Sequence, residues 1–124
     1  MTCSLKICGV TRVEDVLACR AAGVQAIGLN FWSGSKRAVT PAQARRLTEA
    51  ARAPGEHPPL TAVGVFVDHT PEQARAVAVE AALDMVQPHG DAPPERFANL
   101  GIPWIWVVRG TPALASLRAP TPAP

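Results

Sequence analysis

Residues 60–67 have the sequence LTAVGVFV and are apolar at nearly every position. An unbroken apolar run of this length is typical of a parallel β-strand that is covered on both faces. It is followed by Thr70-Pro71-Glu72-Gln73, which is typical of a helix start, and then by a second apolar run at 83–87. The segment therefore predicts a strand, a helix and a second strand that lies parallel to the first.

The same alternation continues on both sides of this segment. Strand-like runs precede it at 5–8 and 24–31 and follow it at 103–108. Successive runs begin about 20 residues apart, with a wider interval between the second and the third, which is the spacing of a βα repeat. Helical patterns rich in Ala, Leu, Arg and Glu lie between the runs. We therefore expect four or five consecutive βα units.

Threonines mark the predicted helix starts. In a capping box, a threonine hydroxyl and a Glu or Gln side chain three residues later both bond to free backbone N–H groups. This pattern begins at Thr11, Thr40 and Thr70, and Thr111-Pro112 begins a fourth copy. Gly23 and Gly101 follow helical stretches, at positions where a left-handed C-cap favours glycine.

Two stretches interrupt the repeat without dividing the chain into domains. Residues 52–59 are rich in Pro and Gly, which predicts a surface loop. Residues 119–124 carry proline at alternate positions and cannot continue a helix. We expect one domain at 1–118, followed at 119–124 by a Pro-rich tail or an interrupted loop.

Two α/β architectures are compatible with this order of elements. One is a complete, open, doubly wound sheet of about five strands, as in flavodoxin-like domains. The other is the first part of a (β/α)8 barrel, of which a chain of 124 residues would form about half. The strand order distinguishes them, since a barrel has its strands in the sequential order 1-2-3-4-5 and a flavodoxin-like sheet has the order 2-1-3-4-5.

Composition excludes several classes of function. Twelve Lys and Arg residues face ten Asp and Glu residues, for a net charge of +2, and the scattered basic residues indicate neither a nucleic-acid nor a membrane-surface binder. No stretch is apolar enough to span a membrane, and the first residues do not resemble a secretory signal. Three cysteines without a CxxC spacing predict reduced thiols in a cytoplasmic protein. No zinc-ligand spacing, GxGxxG motif or phosphate-binding loop motif predicts a metal or nucleotide site.

Polar residues at the carboxyl ends of the predicted strands are the candidate site, because parallel α/β folds place their chemistry there. Cys8 ends the first run and is either a small buried residue or a reactive thiolate near a helix N-terminus and Lys6. Arg37 lies in the loop after the second run, where it is either solvated or binds a carboxylate. His89 follows the fourth run and is either structural or part of the site.

Four segments in this order resemble the phosphoribosylanthranilate isomerase family, whose members are (β/α)8 TIM barrels. Each segment is modestly specific, and the ordered set is highly specific. The segments are Lys6-Ile7-Cys8-Gly9-Val10-Thr11, Gly28-Leu29-Asn30-Phe31 with Ser35-Lys36-Arg37, Val63-Gly64-Val65-Phe66-Val67, and Val86-Gln87-Pro88-His89-Gly90.

The resemblance implies a cofactor-free Amadori rearrangement in tryptophan biosynthesis. The substrate is N-(5-phosphoribosyl)anthranilate and the product is the corresponding 1-deoxyribulose amine. By position in the motifs, Cys8 would be the general base and Arg37 would bind the anthranilate carboxylate. His89, Lys6 and Gly9 would also contribute to substrate binding.

The resemblance also implies parts that this sequence lacks. The family's general acid is an Asp at the end of the sixth strand, and its phosphate site follows the seventh and eighth strands. We therefore expect about the first five βα units of a barrel, with negligible activity of this chain alone. The alternative is a non-catalytic half-barrel that self-associates through its open sheet edges or binds a small carboxylated ligand.

Overall fold

The computed structural model describes residues 5–67, 69–88, 97 and 100–105. Within these ranges, strands and helices alternate as the apolar pattern predicts. The elements are β1 (Lys6–Cys8), α1 (Val13–Ala21), β2 (Ala26–Asn30), α2 (Pro41–Arg52), β3 (Thr61–Phe66), α3 (Pro71–Ala81) and β4 (Met85–Pro88).

The four strands form one parallel sheet in the order β1-β2-β3-β4. The chain returns to this sheet beside β4, where Val86 N–H donates to Pro103 O at 3.0 Å and Ile105 N–H donates to Val86 O at 2.9 Å. Trp104 thereby forms a parallel bridge with Val86 and extends the sequential order. This order confirms the barrel-type arrangement and excludes the flavodoxin-like one, in which β1 would lie inside the sheet. Residues 103–105, the start of the predicted fifth strand, therefore lie beside β4, as a sequential order requires. Residues 106–108 lie outside the described residues.

The hydrophobic core lies between the sheet and its helices. Alternate strand residues face the helices, and Ile27, Leu29 and Val86 on that face are completely buried. One cluster packs β2 against α1 and α2, and a second packs Phe66 and Val86 against α3, Phe97 and Leu100. The opposite face of the sheet carries no helix in the described ranges. We call it the concave face, because the side chains of Lys6 on β1 and Gln87 on β4 form a hydrogen bond across it.

Two of the predicted capping boxes are confirmed. The Thr40 and Thr70 side chains each accept a hydrogen bond of 3.1 Å from the backbone N–H three residues later. The side-chain oxygens of Gln43 and Gln73 in turn accept bonds of 2.9 Å from the N–H groups of Thr40 and Thr70. The prediction at Thr11 is wrong, because the N-cap of α1 is Arg12 and it has no side-chain capping bond. Thr11 lies one residue too early for the box. The start at Thr111 lies outside the described residues, as does the tail at 119–124.

Gly23 follows α1 and has a left-handed φ of 82°, as predicted. Gly101 also has a left-handed φ, 78°, but most of the helical stretch predicted before it lies outside the described residues. Helix α2 ends at Ala53, with φ -56°. Helix α3 is different, because its C-cap is Ala82, with φ 56°. The Cβ of an alanine makes the left-handed conformation unfavourable, so the local sequence does not predict this C-cap at Ala82.

Arg20 fastens the loop after α2, a role that no local motif predicts. Only 7% of this residue is exposed. Its guanidinium donates to the backbone oxygens of Ala50 at 2.9 Å, His57 at 2.6 Å and Pro58 at 3.1 Å. One side chain on α1 thus holds the surface loop predicted at 52–59 against the amino-terminal side of the sheet.

None of the helices within the described ranges is long and apolar enough to cross a membrane.

Candidate active site

Cys8 lies at the carboxyl end of β1 on the concave face of the sheet. The strand register places it in one row with Gly28, Val63 and Met85. Because paired residues of neighbouring strands point to the same side, this row faces away from the helices. The thiol is free and exposed. The structure therefore presents Cys8 to solvent and not to the core.

Gly28 provides the space that the Cys8 side chain occupies. A Cβ at Gly28 would lie 3.2 Å from Cys8 Sγ and 3.3 Å from Cys8 Cα. The carbonyl of Gly28 also accepts bonds from Gly9 N–H at 3.0 Å and Val10 N–H at 3.3 Å, which fix the turn after β1. The motif that contains Gly28 does not indicate this role, although a glycine inside an apolar strand often marks a close approach of this kind.

The backbone at Gly9 lies directly under the Arg37 side chain. Gly9 has a φ of 78°, and a Cβ there would lie 2.5 Å from Arg37 Cδ and 2.8 Å from Nη1. The backbone conformation therefore favours glycine, and a Cβ there would displace the Arg37 side chain from this place. Arg37 reaches this place because the loop is folded by a bond of 3.1 Å from its N–H to Ser35 Oγ and by the bridge between Ala38 and Asn30. Cys8, Gly9 and Arg37, which the sequence nominates separately, are thus brought together.

Lys6 lies on the same face of β1 as Cys8, and its ammonium donates a hydrogen bond to Gln87 Oε1 on β4. Both side chains are half-buried. The motif at residues 86–90 contains Gln87 but does not indicate this contact. His89 lies outside the described residues, so its place in the site stays a prediction.

The other titratable groups near the strand ends have structural surroundings. His69 packs edge-on against Phe66 with ring centroids 5.1 Å apart, and its buried Nδ1 has no hydrogen-bond partner in the part of the chain that the structure describes. Asp84 accepts from Ala62 N–H at 2.7 Å and pairs with Arg52 at 2.9 Å. This carboxylate joins β3, the end of α2 and the residues before β4, so it has no free role in proton transfer.

The two described cysteines should differ in reactivity towards iodoacetamide. Burial, followed by the negative charge of Asp15, raises the pKa of the Cys19 thiol. Since the thiolate is the reacting form, a raised pKa leaves less of Cys19 reactive at a given pH and shifts its labelling to more alkaline solution. We expect Cys8 to be alkylated about tenfold faster or more at slightly alkaline pH. Peptide-resolved mass spectrometry measures both rates, and faster labelling of Cys19 would contradict the placement of Cys8 in solvent.

A methyl group at position 28 should disturb the site directly. In Gly28→Ala, Cys8 has to shift by a few tenths of an ångström, and overpacking of this kind costs about 1–3 kcal/mol. Urea unfolding measures the loss. Gly55→Ala is the matched control, because a Cβ there would meet its nearest neighbour at 3.9 Å, and a change of less than about 0.5 kcal/mol is expected. Equal effects of the two substitutions would show that the space at Gly28 is not required.

Comparison with known proteins agrees with this arrangement. The family of N-(5'-phosphoribosyl)anthranilate isomerases matches residues 5–109. The N-(5'-phosphoribosyl)anthranilate isomerase of Chromohalobacter salexigens is 45% identical over 105 residues, which cover 85% of this chain and 46% of the relative.

Solved structures show the same similarity. One of them contains monomers of the dimeric phosphoribosylanthranilate isomerase from Thermotoga maritima. Its TM-score is 0.74, and it is 34% identical over 83% of this chain and 50% of its own length. A phosphoribosyl anthranilate isomerase in complex with reduced 1-(o-carboxyphenylamino)-1-deoxyribulose 5-phosphate has a TM-score of 0.74 and 36% identity over 83% of this chain and 52% of its own.

The chain spans about half the length of the curated relatives that it matches. The family match covers residues 5–109. This range contains the four parallel strands, Cys8 at the end of β1 and the loop that carries Arg37. The chain belongs to the phosphoribosylanthranilate isomerase family.

Proposed function

We propose that this chain provides the base-bearing part of a phosphoribosylanthranilate isomerase. The reaction is the Amadori rearrangement of N-(5-phosphoribosyl)anthranilate to 1-(2-carboxyphenylamino)-1-deoxyribulose 5-phosphate. The observation that carries the proposal is the position of exposed Cys8 directly before Gly9, over which the Arg37 side chain lies. A relative's complex with the reduced product supports this class of substrate. Participation in tryptophan biosynthesis in the cytoplasm follows from the same proposal.

In this proposal, Cys8 and Arg37 act on different parts of one substrate. After the furanose ring opens to a Schiff base, the Cys8 thiolate removes the proton at C2′. The electron pair of the broken C–H bond moves towards the protonated imine and gives an enolamine, which tautomerises to the ketose amine. Arg37 binds the anthranilate carboxylate through two N–H donors of its guanidinium, a geometry that Arg favours. Neither step requires a cofactor.

We further propose that residues 1–124 turn over the substrate negligibly by themselves. The family resemblance assigns ring opening to an Asp after the sixth strand and phosphate binding to loops after the seventh and eighth strands. Large apolar side chains at the β1 edge support the need for a covering unit. Leu5 is 55% exposed and Leu17 on α1 is 50% exposed, and Ile7 and Val13 are also exposed. Exposed apolar groups of this kind, beside a terminal strand, favour association.

The same edge favours a second candidate, a non-catalytic half-barrel that pairs with another copy of itself. A Thermotoga maritima relative is described as dimeric, which supports self-association as a candidate. Sedimentation separates the candidates, because a stable monomer over a wide concentration range would exclude self-pairing.

Turnover of a completed barrel tests the proposed function. We define it as residues 1–105 of this chain joined to the part of the Chromohalobacter salexigens relative that follows the equivalent position. We expect isomerase turnover by the completed barrel and none above background by the present chain. A folded completed barrel without turnover would contradict the proposal, and robust turnover by the present chain would contradict the need for further units.

A further inference from the structure

The hydrogen bond from Lys6 to Gln87 joins two strands that are not neighbours. Lys6 lies on β1 and Gln87 lies on β4, with β2 and β3 between them. In a flat sheet, three strand spacings and an offset of four residues along the strands would separate them by roughly 20 Å, and both side chains would stand perpendicular to the sheet. Their tips meet because the sheet is curved and the concave face turns them towards each other. The bond therefore spans the inside of the partial barrel.

The strand that this bond holds has little other support. β1 is three residues long, and within the described ranges it pairs with β2 alone. A short terminal strand opens more readily than the inner strands of a sheet. The bond to Gln87 gives β1 a second attachment, on the side chain two residues before Cys8. A bond from an ammonium to a half-buried carbonyl oxygen is stronger than a bond between neutral groups.

The bond also connects the parts of the candidate site. Lys6 and Cys8 share one face of β1, since side chains alternate along a strand. Gly9, directly after Cys8, donates to Gly28 O at 3.0 Å and carries Arg37 above it. Displacement of β1 would therefore move the thiol and the Arg37 contact together.

We propose that Lys6 and Gln87 are positioning residues, which hold β1 against the concave face so that Cys8 and Arg37 keep their relative places. In this role Lys6 fixes the position of β1 through its bond to Gln87. This role takes the place of the substrate contact that the family resemblance implies for Lys6. The inference deepens the proposed function and rests on it for the identity of the substrate. The contact itself does not depend on that identity.

Hydrogen exchange of the backbone amides of Gly9 and Val10 tests the contact in the present chain. Both amides bond to Gly28 O, so their exchange reports opening of the end of β1. We expect Lys6→Met and Gln87→Leu each to accelerate this exchange about fivefold or more, with amides of α2 and β3 unchanged. Because both substitutions remove the same bond, the double variant should exchange no faster than the single ones. Additive effects, or no effect, would overturn the inference.

The conservative variant and the completed barrel extend the test to the site. Gln87→Glu keeps an acceptor for Lys6 and should retain slow exchange, whereas Gln87→Leu should not. In the completed barrel, Gln87→Leu should lower kcat about tenfold or more, because the displaced strand carries the base. KM should change little, because Arg37 belongs to the loop between β2 and α2, which Ser35 and the bridge between Ala38 and Asn30 hold independently of β1. An unchanged kcat would overturn the positioning role. If the unsubstituted completed barrel has no turnover, the proposed function fails, and the exchange measurement still decides whether the contact holds β1.

Discussion

Cys8→Ala is expected to lower the kcat of the completed barrel by about 10²- to 10⁴-fold, the usual contribution of a positioned general base. KM should change little, because the thiol takes the C2′ proton and does not bind the anthranilate or the phosphate. Steady-state kinetics over a range of substrate concentrations separates the two parameters. The expectation follows from the exposure of Cys8 on the concave face, with Arg37 over the adjacent Gly9.

Cys19→Ala is the matched control for this loss. Cys19 lies on α1, is half-buried and packs against the cluster between the sheet and the helices. Its removal should leave kcat within about twofold, since a small cavity far from the concave face affects stability more than turnover. A Cys8→Ala variant that keeps more than about a tenth of the activity would show that another group is the base.

Arg20→Met should produce the largest loss of stability among substitutions outside the core. The guanidinium donates to the oxygens of Ala50, His57 and Pro58, and the residue is 7% exposed. Removing a charged donor from three part-buried hydrogen bonds costs more than removing a neutral one, and we expect a loss of about 2–4 kcal/mol. Urea unfolding of the present chain measures the change, and limited proteolysis should show faster cleavage within residues 52–59.

Arg12→Met is the control for loss of an arginine from α1 or its cap. Arg12 pairs with Asp15 at 3.3 Å, and its side chain is 68% exposed. Solvent screens such a pair, so the unfolding midpoint should remain close to that of the unsubstituted chain. Equal losses for the two variants would mean that the carbonyl contacts of Arg20 contribute little.

Local patterns predict most of the elements of this fold. The apolar runs indicate four strands that the structure contains, and Thr40 and Thr70 begin helices through capping boxes, as predicted. Thr11 fails for a local reason, because Arg12 occupies the position next to the first helical residue, and the Arg12 side chain bonds to Asp15. Periodicity leaves two strand orders open. Local periodicity cannot distinguish the two orders, because it carries no information about which strands pair. The observed order β1-β2-β3-β4 does distinguish them.

Contacts between distant residues could not be predicted in this way. Arg20 contacts carbonyls more than 30 residues away, and Lys6 contacts a side chain 81 residues away. Asp84 is a similar case, since its bonds to Ala62 and Arg52 depend on how the elements pack. A charged residue in a helix or strand pattern carries no local sign of the partner that three-dimensional packing gives it.

The residues of the candidate site are easier to predict from the sequence than these contacts are. Strand ends and motif resemblance nominate Cys8, Gly9 and Arg37, and the structure brings these three together. Gly28 and Gln87 had no assigned role, because their contributions are a space and a contact across the concave face. The place of His89 in the site stays a prediction.

The position of a bound product analogue tests most directly whether Cys8 and Arg37 act on one substrate. The measurement is a crystal structure of the completed barrel with reduced 1-(o-carboxyphenylamino)-1-deoxyribulose 5-phosphate, the ligand in a relative's complex. We expect the Arg37 guanidinium at about 3 Å from the anthranilate carboxylate and Cys8 Sγ within about 4 Å of C2′. A carboxylate bound away from Arg37, with C2′ out of reach of Cys8, would contradict the proposed site.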